Sequence, residues 1–272
     1  MKPTFTALAF AALLIPATGQ AYAADASVSE AQYAQVLAGP WRAPENRARD
    51  GYRHPQQTLS FFGLAPTQTV IEITPGNGWY SEVLAPLLKD RGQYIAAVQA
   101  PGSPALAQKF AADPARYGNV RSLLFDPKAP VFGPPASADL VLTFRNVHNW
   151  VMADTAPAMF AAFFKALKPG GVLGVVDHRG PAGESLEAIK RSGYLPTTYV
   201  IELARQAGFQ LQGQSEVNAN PKDSKDYPAG VWTLPPVLRL GEQDRARYLA
   251  IGESDRFTLR FVKPGGPAPS GQ

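Results

Sequence analysis

Three residues fitted for proton chemistry fall at the ends of short apolar runs. His148 stands in RNVHNW just after ADLVLTF, and the pair Asp177-His178 follows VLGVV. Histidine changes charge near neutral pH, so it suits removal of a proton from a reacting group. The chain has only three histidines, and two of them occupy such a place. His148, Asp177 and His178 are therefore the candidate catalytic residues. Each also has a structural reading: His148 caps the helix that follows or binds a backbone carbonyl, and Asp177-His178-Arg179 forms a hydrogen-bonded loop.

A second concentration of chemistry lies in residues 70–88, VIEITPGNGWYSEVLAPLL. An apolar strand carries an acid near its end, a glycine turn follows, and a helix begins. Gly76 and Gly78 lack a β-carbon, so the backbone can turn tightly and approach a ligand beneath the amides that open the helix. Such a unit cradles part of a nucleotide, and it also serves as an ordinary strand–helix connection. Glu72 is placed to accept hydrogen bonds from a cationic or hydroxyl-rich ligand. Trp79 and Tyr80 either line that ligand or pack at the helix start. Upstream, residues 41–55 (WRAPENRARDGYRHP) hold four arginines. Arginine reads planar anions through paired hydrogen bonds, which makes Arg49 and Arg53 candidate substrate contacts. With Glu45 and Asp50 among them, the same segment reads equally as a charge-balanced solvated loop.

The elements that must hold these residues follow from periodicity. Val70–Ile73, Tyr94–Val98, Val120–Phe125, Leu140–Phe144 and Val172–Val176 are short apolar runs of the kind buried on both faces of a parallel sheet. Tyr80–Lys89, Ala105–Ala112 and Ala156–Leu167 alternate with them as helices, which predicts a doubly wound α/β fold with ligands at the carboxyl ends of the strands. Thr197–Ala207 continues as a helix stopped by Gly208. Phe209–Val217 and Arg256–Val262 read as strands separated by an irregular stretch, Asn218–Glu253.

The pattern E-x-T-x-G-x-G at Glu72–Gly78 resembles the first motif of class I S-adenosylmethionine-dependent methyltransferases. The K-P-G-G of Lys168–Gly171 is similar to the turn before their fifth strand. The intervening elements keep the family's order over roughly Thr58–Val217. In finer detail, P-G-x-G-W-Y at Pro75–Tyr80 and R-D-x-x-R-H-P at Arg49–Pro55 resemble exported members of that family. The resemblance implies a Rossmann-like methyltransferase fold, a mostly parallel sheet with an antiparallel C-terminal edge strand. It implies S-adenosylmethionine as cofactor, held near Glu72, Thr74, Gly76, Gly78, Trp79, Gln99, Asp126 and Asn146, with Asp126 beside the adenine; an acid before Pro127 is equally a turn starter. By the same resemblance the loop after the fourth strand faces methyl donor and acceptor, adding Arg145, Asn149 and Trp150 to the substrate contacts. Methyl transfer is an in-line displacement that needs alignment and, for a hydroxyl or acidic carbon, a base; His148 suits that step. Two positions depart from the family: Thr74 replaces a glycine, and Gln99 replaces the acid that binds the ribose hydroxyls. Hydrogen bonds to charged groups contribute ~1.5–3 kcal/mol against ~1 for neutral ones, so Gln99 weakens cofactor binding roughly tenfold. The alternative is a catalytically silent exported protein that binds a nucleoside-like or aromatic ligand on the same fold.

Composition bounds the remaining options. The chain has 272 residues, a formal charge of +4 and no cysteine. No basic block and no zinc-ligand cluster occurs, so neither a nucleic-acid partner nor a bound metal is expected; the partner is a small molecule. Lys2, the apolar run Leu8–Ile15 and Ala21-Tyr22-Ala23 read as a cleaved signal peptide over residues 1–23, with a periplasmic or secreted product. No later stretch approaches the roughly 20 apolar residues of a membrane span. The expected organisation is a helical or lid segment over 24–57, an α/β domain over 58–263, and a flexible tail over 264–272.

Overall fold

The computed structural model describes residues 27–265. The expected signal peptide, and the tail beyond Gly265, lie outside the described residues. Eight strands form one mixed sheet in the order β3-β2-β1-β4-β5-β8-β7, with the two-residue β6 paired to β5 alone. They are β1 (Thr69–Ile73), β2 (Gln93–Gln99), β3 (Arg121–Phe125), β4 (Ala138–Phe144), β5 (Leu167–Gly180), β6 (Leu195–Pro196), β7 (Gln210–Ser215) and β8 (Arg256–Val262). Strands β1 to β5 are parallel to their neighbours, whereas β8 runs antiparallel to both β5 and β7. The expected antiparallel hairpin edge is therefore present, with β7 outermost.

The strand order reverses between β1 and β4. In an open α/β sheet the helices after these two strands leave on opposite faces, which opens a crevice at their carboxyl ends. Alternate side chains of the central strands feed two cores. Ile71, Ile73, Val141, Leu173 and Val175 pack with Phe160, Phe163 and Leu203 on one face, while Val70, Leu140, Leu142 and Val176 pack with Leu59, Phe62, Val83 and Leu84 on the other. Apolar residues on both sides explain why these strands are unbroken apolar runs. Edge strand β3 departs from that pattern, with Arg121, Ser122 and Leu124 exposed.

The first face of the sheet is covered by α8 (Val147–Met152), α9 (Ala156–Ala166) and α11 (Thr197–Gln206). The second is covered by α1 (Glu30–Leu37), α4 (Pro55–Phe62), α5 (Ser81–Leu88) and α6 (Pro104–Ala112). Two single-turn helices, α2 (Pro44–Arg47) and α3 (Asp50–Arg53), lead from α1 to α4, and α7 (Pro114–Tyr117) follows α6. Local chemistry sets these ends. Ser29 and Gln32 form a reciprocal capping box on α1, and α4 opens on Pro55 and stops at Gly63, whose φ is +77°. Residues 24–57 were expected as a helical or lid segment; their described part holds α1, α2, α3 and the start of α4, and Val28, Tyr33 and Val36 are buried in the same core as α5.

Three features were not foreseen. Lys168-Pro169-Gly170-Gly171 is an irregularity inside β5 and not a turn before it: Leu167 pairs with Ala138, and Val172 with Leu140. The stretch called irregular contains a 3-10 turn at Gly230–Thr233 and α12 (Arg245–Ile251), which close a small core of Tyr194, Tyr227, Val231, Leu234 and Tyr248. Helix α10 (Leu186–Ser192) was also missed, although Ser185 caps its start and Gly193, at φ +73°, ends it. No helix of the described residues is long and apolar enough to cross a membrane.

Candidate functional site

The turn after β1 is shaped by three alternate residues at positive φ. Thr74 sits at φ +53°, Gly76 at +61° and Gly78 at +82°. A β-branched residue at positive φ is strained, so Thr74 keeps a glycine's conformation without being one. Its Oγ1 is buried with no hydrogen-bond partner, while its N–H donates to the Ala97 carbonyl at 2.8 Å. The two glycines differ. A β-carbon on Gly76 would enter open space, whereas one on Gly78 would meet Leu106 Cδ1 at 2.9 Å. Gly78 thus permits close packing of the turn on α6 and is not among the residues that line the cleft. Among the described residues the N–H groups of Gly76 and Asn77 find no hydrogen-bond acceptor, and both residues are exposed.

Below the turn lies a cleft of about 340 Å³, within the range of ordinary ligand pockets. Glu72, Thr74, Pro75, Gly76 and Asn77 form its floor and one side; Trp79, Tyr80, Phe144, Arg145 and Asn146 form the next; Asn46, Arg49 and Arg53 close it from the N-terminal segment. Glu72 is buried, and Tyr94 donates its hydroxyl to Oε2 at 2.5 Å. Burial pushes its pKa up to about 7, although the Tyr94 hydrogen bond and Arg53 pull it down. Asn146 spends Nδ2 on the Ile73 carbonyl at 2.9 Å and Thr143 Oγ1 at 3.2 Å, which leaves the acceptor Oδ1 for a ligand. Trp79 is fixed by its Nε1 donating to the Asn46 carbonyl and by the Arg53 guanidinium 4.6 Å from its ring. Tyr80 stacks on Phe144 at 3.6 Å between ring centroids.

The cationic side of the cleft has one acid. Glu253 receives Arg49 Nε at 2.5 Å, Arg256 Nη2 at 3.0 Å and Arg53 Nε at 3.5 Å. Against burial, which would raise it, these arginines hold its pKa down at about 2. Arg145 sits at φ +63° with its N–H donated to the Val176 carbonyl at 2.7 Å, but among the described residues its side chain makes no hydrogen bond or ion pair; burial lowers its pKa to about 10.

His148, Asp177 and His178 do assemble, but not on the cleft wall. Asp177 is fully buried and accepts the His148 N–H at 3.1 Å, the His178 N–H at 2.8 Å and, at its Oδ1, His148 Nδ1 at 2.9 Å. The helix cap expected of His148 is inverted: the Asp177 carboxylate caps α8 from across the sheet. His178 Nδ1 lies 2.6 Å from Ser254 Oγ, and burial, followed by the nearby His148 and Arg145, pushes its pKa well below the usual imidazole range. The three residues hold possible ligand atoms within 4.8 Å of one another. Asp177 already accepts three N–H groups, and Arg145, Arg256 and Arg53 repel charge at His178, so the cluster suits hydrogen bonding better than a dication.

Four further expected site residues lie elsewhere. Gln99 is exposed at the end of β2. Asp126 is exposed and accepts the Lys128 N–H at 2.9 Å, which is the turn role. Asn149 is exposed on α8, and Trp150 is buried against Phe163 in the core. Sequence reasoning missed Asn46, Tyr94, Phe144, Glu253 and Arg256. Only Arg256 carried a signal, as a cation opening a predicted strand.

No family model and no curated protein matches the chain in sequence. Solved structures do resemble it. A SAM-dependent methyltransferase from Aquifex aeolicus superposes with a TM-score of 0.54 at 15% identity, over 82% of this chain and 94% of that one. The cyclase SpnF gives 0.57 at 18% identity, over 84% and 86%. Phosphoethanolamine N-methyltransferase 2 from Haemonchus contortus, solved with S-adenosyl-L-methionine, gives 0.54 at 18% identity, over 86% of this chain and 56% of that one. The chain therefore has the Rossmann-like α/β fold that SAM-dependent methyltransferases carry, with its cleft at the β1–β4 crossover.

Proposed function

We propose that this protein is an S-adenosylmethionine-dependent methyltransferase acting on a small-molecule acceptor. The observation that carries the reading is the turn after β1. It presents two unbonded backbone N–H groups and open space at Gly76 directly above a buried acid, and it holds Thr74 in a glycine's conformation. The solved methyltransferases with this fold support the same reading.

S-adenosylmethionine would supply an electrophilic methyl carbon whose bond to sulfur breaks as the acceptor's lone pair takes it. The chain's residues have the tasks of binding and alignment. Glu72 and Asn146 Oδ1 offer acceptors to an ammonium or to hydroxyl groups, and the N–H groups of Gly76 and Asn77 offer donors. Trp79, Tyr80 and Phe144 exclude water from one wall. His148, oriented through Nδ1 by Asp177, has Nε2 free to take a proton from an acceptor that reaches beyond the cleft lining. Release of S-adenosylhomocysteine, followed by mass spectrometry with candidate acceptors, tests the reading. Turnover that requires Glu72 supports it; absence of binding by cofactor and product alike rejects it.

A further inference from the structure

The cleft has more positive charge than the proposed chemistry uses. Arg49, Arg53 and Arg256 converge on one carboxylate, Glu253, and Arg145 lies within its electrostatic reach without pairing to it. The other acid of the cleft, Glu72, is only partly ionised near neutral pH because burial pushes its pKa up to about 7. S-adenosylmethionine brings one carboxylate but also an ammonium and a sulfonium. Its binding leaves the excess in place.

Two of these arginines are poised for a partner they lack. Arg53 is 7% exposed, yet among the described residues its side chain makes no hydrogen bond and only a 3.5 Å ion pair through Nε. Arg145 has neither, and its Nε is sealed from solvent without a partner. An unpaired buried guanidinium is costly to leave unsatisfied, and it sits here at a backbone angle few residues adopt. Both line the main cleft and also a narrow recess of about 10 Å³ that Arg256, Tyr80 and Phe144 complete. That volume holds about one water-sized group. One oxygen of an anion fits it, the rest of the head group staying in the cleft.

The geometry points to an anionic acceptor whose carboxylate enters the recess between Arg53, Arg145 and Arg256, with the rest of the molecule in the cleft beneath the glycine turn. This rests on the methyltransferase reading for the word acceptor, but the anion site itself does not. Forked guanidinium groups match a planar carboxylate in geometry, and Glu253 fixes Arg49, Arg53 and Arg256 before the ligand arrives.

Isothermal titration with benzoate and benzamide, which share a shape and differ in charge, tests the site. Acetate serves as a smaller probe and inorganic phosphate as the competing anion. Benzoate or acetate binds at least about tenfold more tightly than the amide, with and without S-adenosylhomocysteine, as expected of charged hydrogen bonds. Arg145→Asn keeps a residue that tolerates positive φ, and Arg53→Lys keeps charge but loses the fork. Each weakens benzoate at least about tenfold more than it weakens S-adenosylhomocysteine. Equal binding of benzoate and benzamide, or no binding of either carboxylate, overturns the proposal and leaves the methyltransferase reading intact if S-adenosylhomocysteine still binds. Phosphate binding more tightly than both carboxylates overturns the carboxylate assignment. Carboxylate binding without any S-adenosylhomocysteine binding would uphold the anion site and reject the methyltransferase reading.

Discussion

Protonation of Glu72 should couple cofactor binding to pH. Its folded pKa is about 7 against an ordinary 4.5. Below pH 4.5 the carboxyl is neutral in folded and unfolded chains alike, and its burial is free of the charge penalty. As pH rises from 4.5 to 7 the unfolded chain ionises while the buried group stays protonated, so stability present at low pH is lost across that window, by about 3 kcal/mol in all once the folded chain ionises. A ligand ammonium reverses the preference, because it pairs with the ionised form. Binding therefore releases a proton. With a pKa near 7, about nine-tenths of Glu72 is ionised at pH 8 and about one-tenth at pH 6, so S-adenosylhomocysteine should bind roughly tenfold more weakly at pH 6. Glu72→Gln should abolish this dependence. Calorimetry at both values, in buffers of different ionisation enthalpy, measures affinity and proton release together. Equal affinity at pH 6 and pH 8, or a dependence that survives in Glu72→Gln, would refute the reasoning.

Other outcomes follow from the same geometry. Thr74→Gly relieves a positive-φ strain of ~1–2 kcal/mol and an orphaned hydroxyl, offset by ~0.5–1 kcal/mol of glycine entropy. It should raise Tm by about 2–4 °C in differential scanning calorimetry, and a fall in Tm contradicts the strain. Gly78→Ala should cost about 1–3 kcal/mol in urea denaturation, because its β-carbon meets Leu106. A neutral effect means that the turn does not pack on α6 as described. Asp177→Ala strips the acceptor from two backbone N–H groups and His148 Nδ1, and should cost roughly 3 kcal/mol or more. A cost below about 1 kcal/mol would show that the cluster is not holding α8 to β5.

The sheet was legible because its central strands are covered on both faces and so read as unbroken apolar runs, and the hairpin of β7 and β8 was recognised from its two ends. The cleft was less so, for a physical reason in each case. Glu72 and the glycine turn are contiguous in sequence, but Tyr94, which hydrogen-bonds Glu72, becomes its neighbour only through the parallel register of β1 and β2. Glu253 lies 204 residues from Arg49, and no local pattern joins them. Asp126 and Trp150 matched family positions, yet a turn and a core claimed them. Gly78 carried the right residue type, but which way its missing side chain would point depends on the packing of α6. The histidines were expected to share a site and do, although Asp177 turns them into a buried hydrogen-bonded cluster.

The most direct test of the account titrates S-adenosylhomocysteine into the protein and into Gly76→Asn. Asparagine tolerates positive φ, and its side chain would project into the space that is open at Gly76. The account predicts binding to the parent chain that adds about 2.7 kcal/mol of stability at 100 times the dissociation constant, and its loss in a Gly76→Asn protein of unchanged fold. No heat and no thermal shift at millimolar ligand, or equal binding by both proteins, would contradict it.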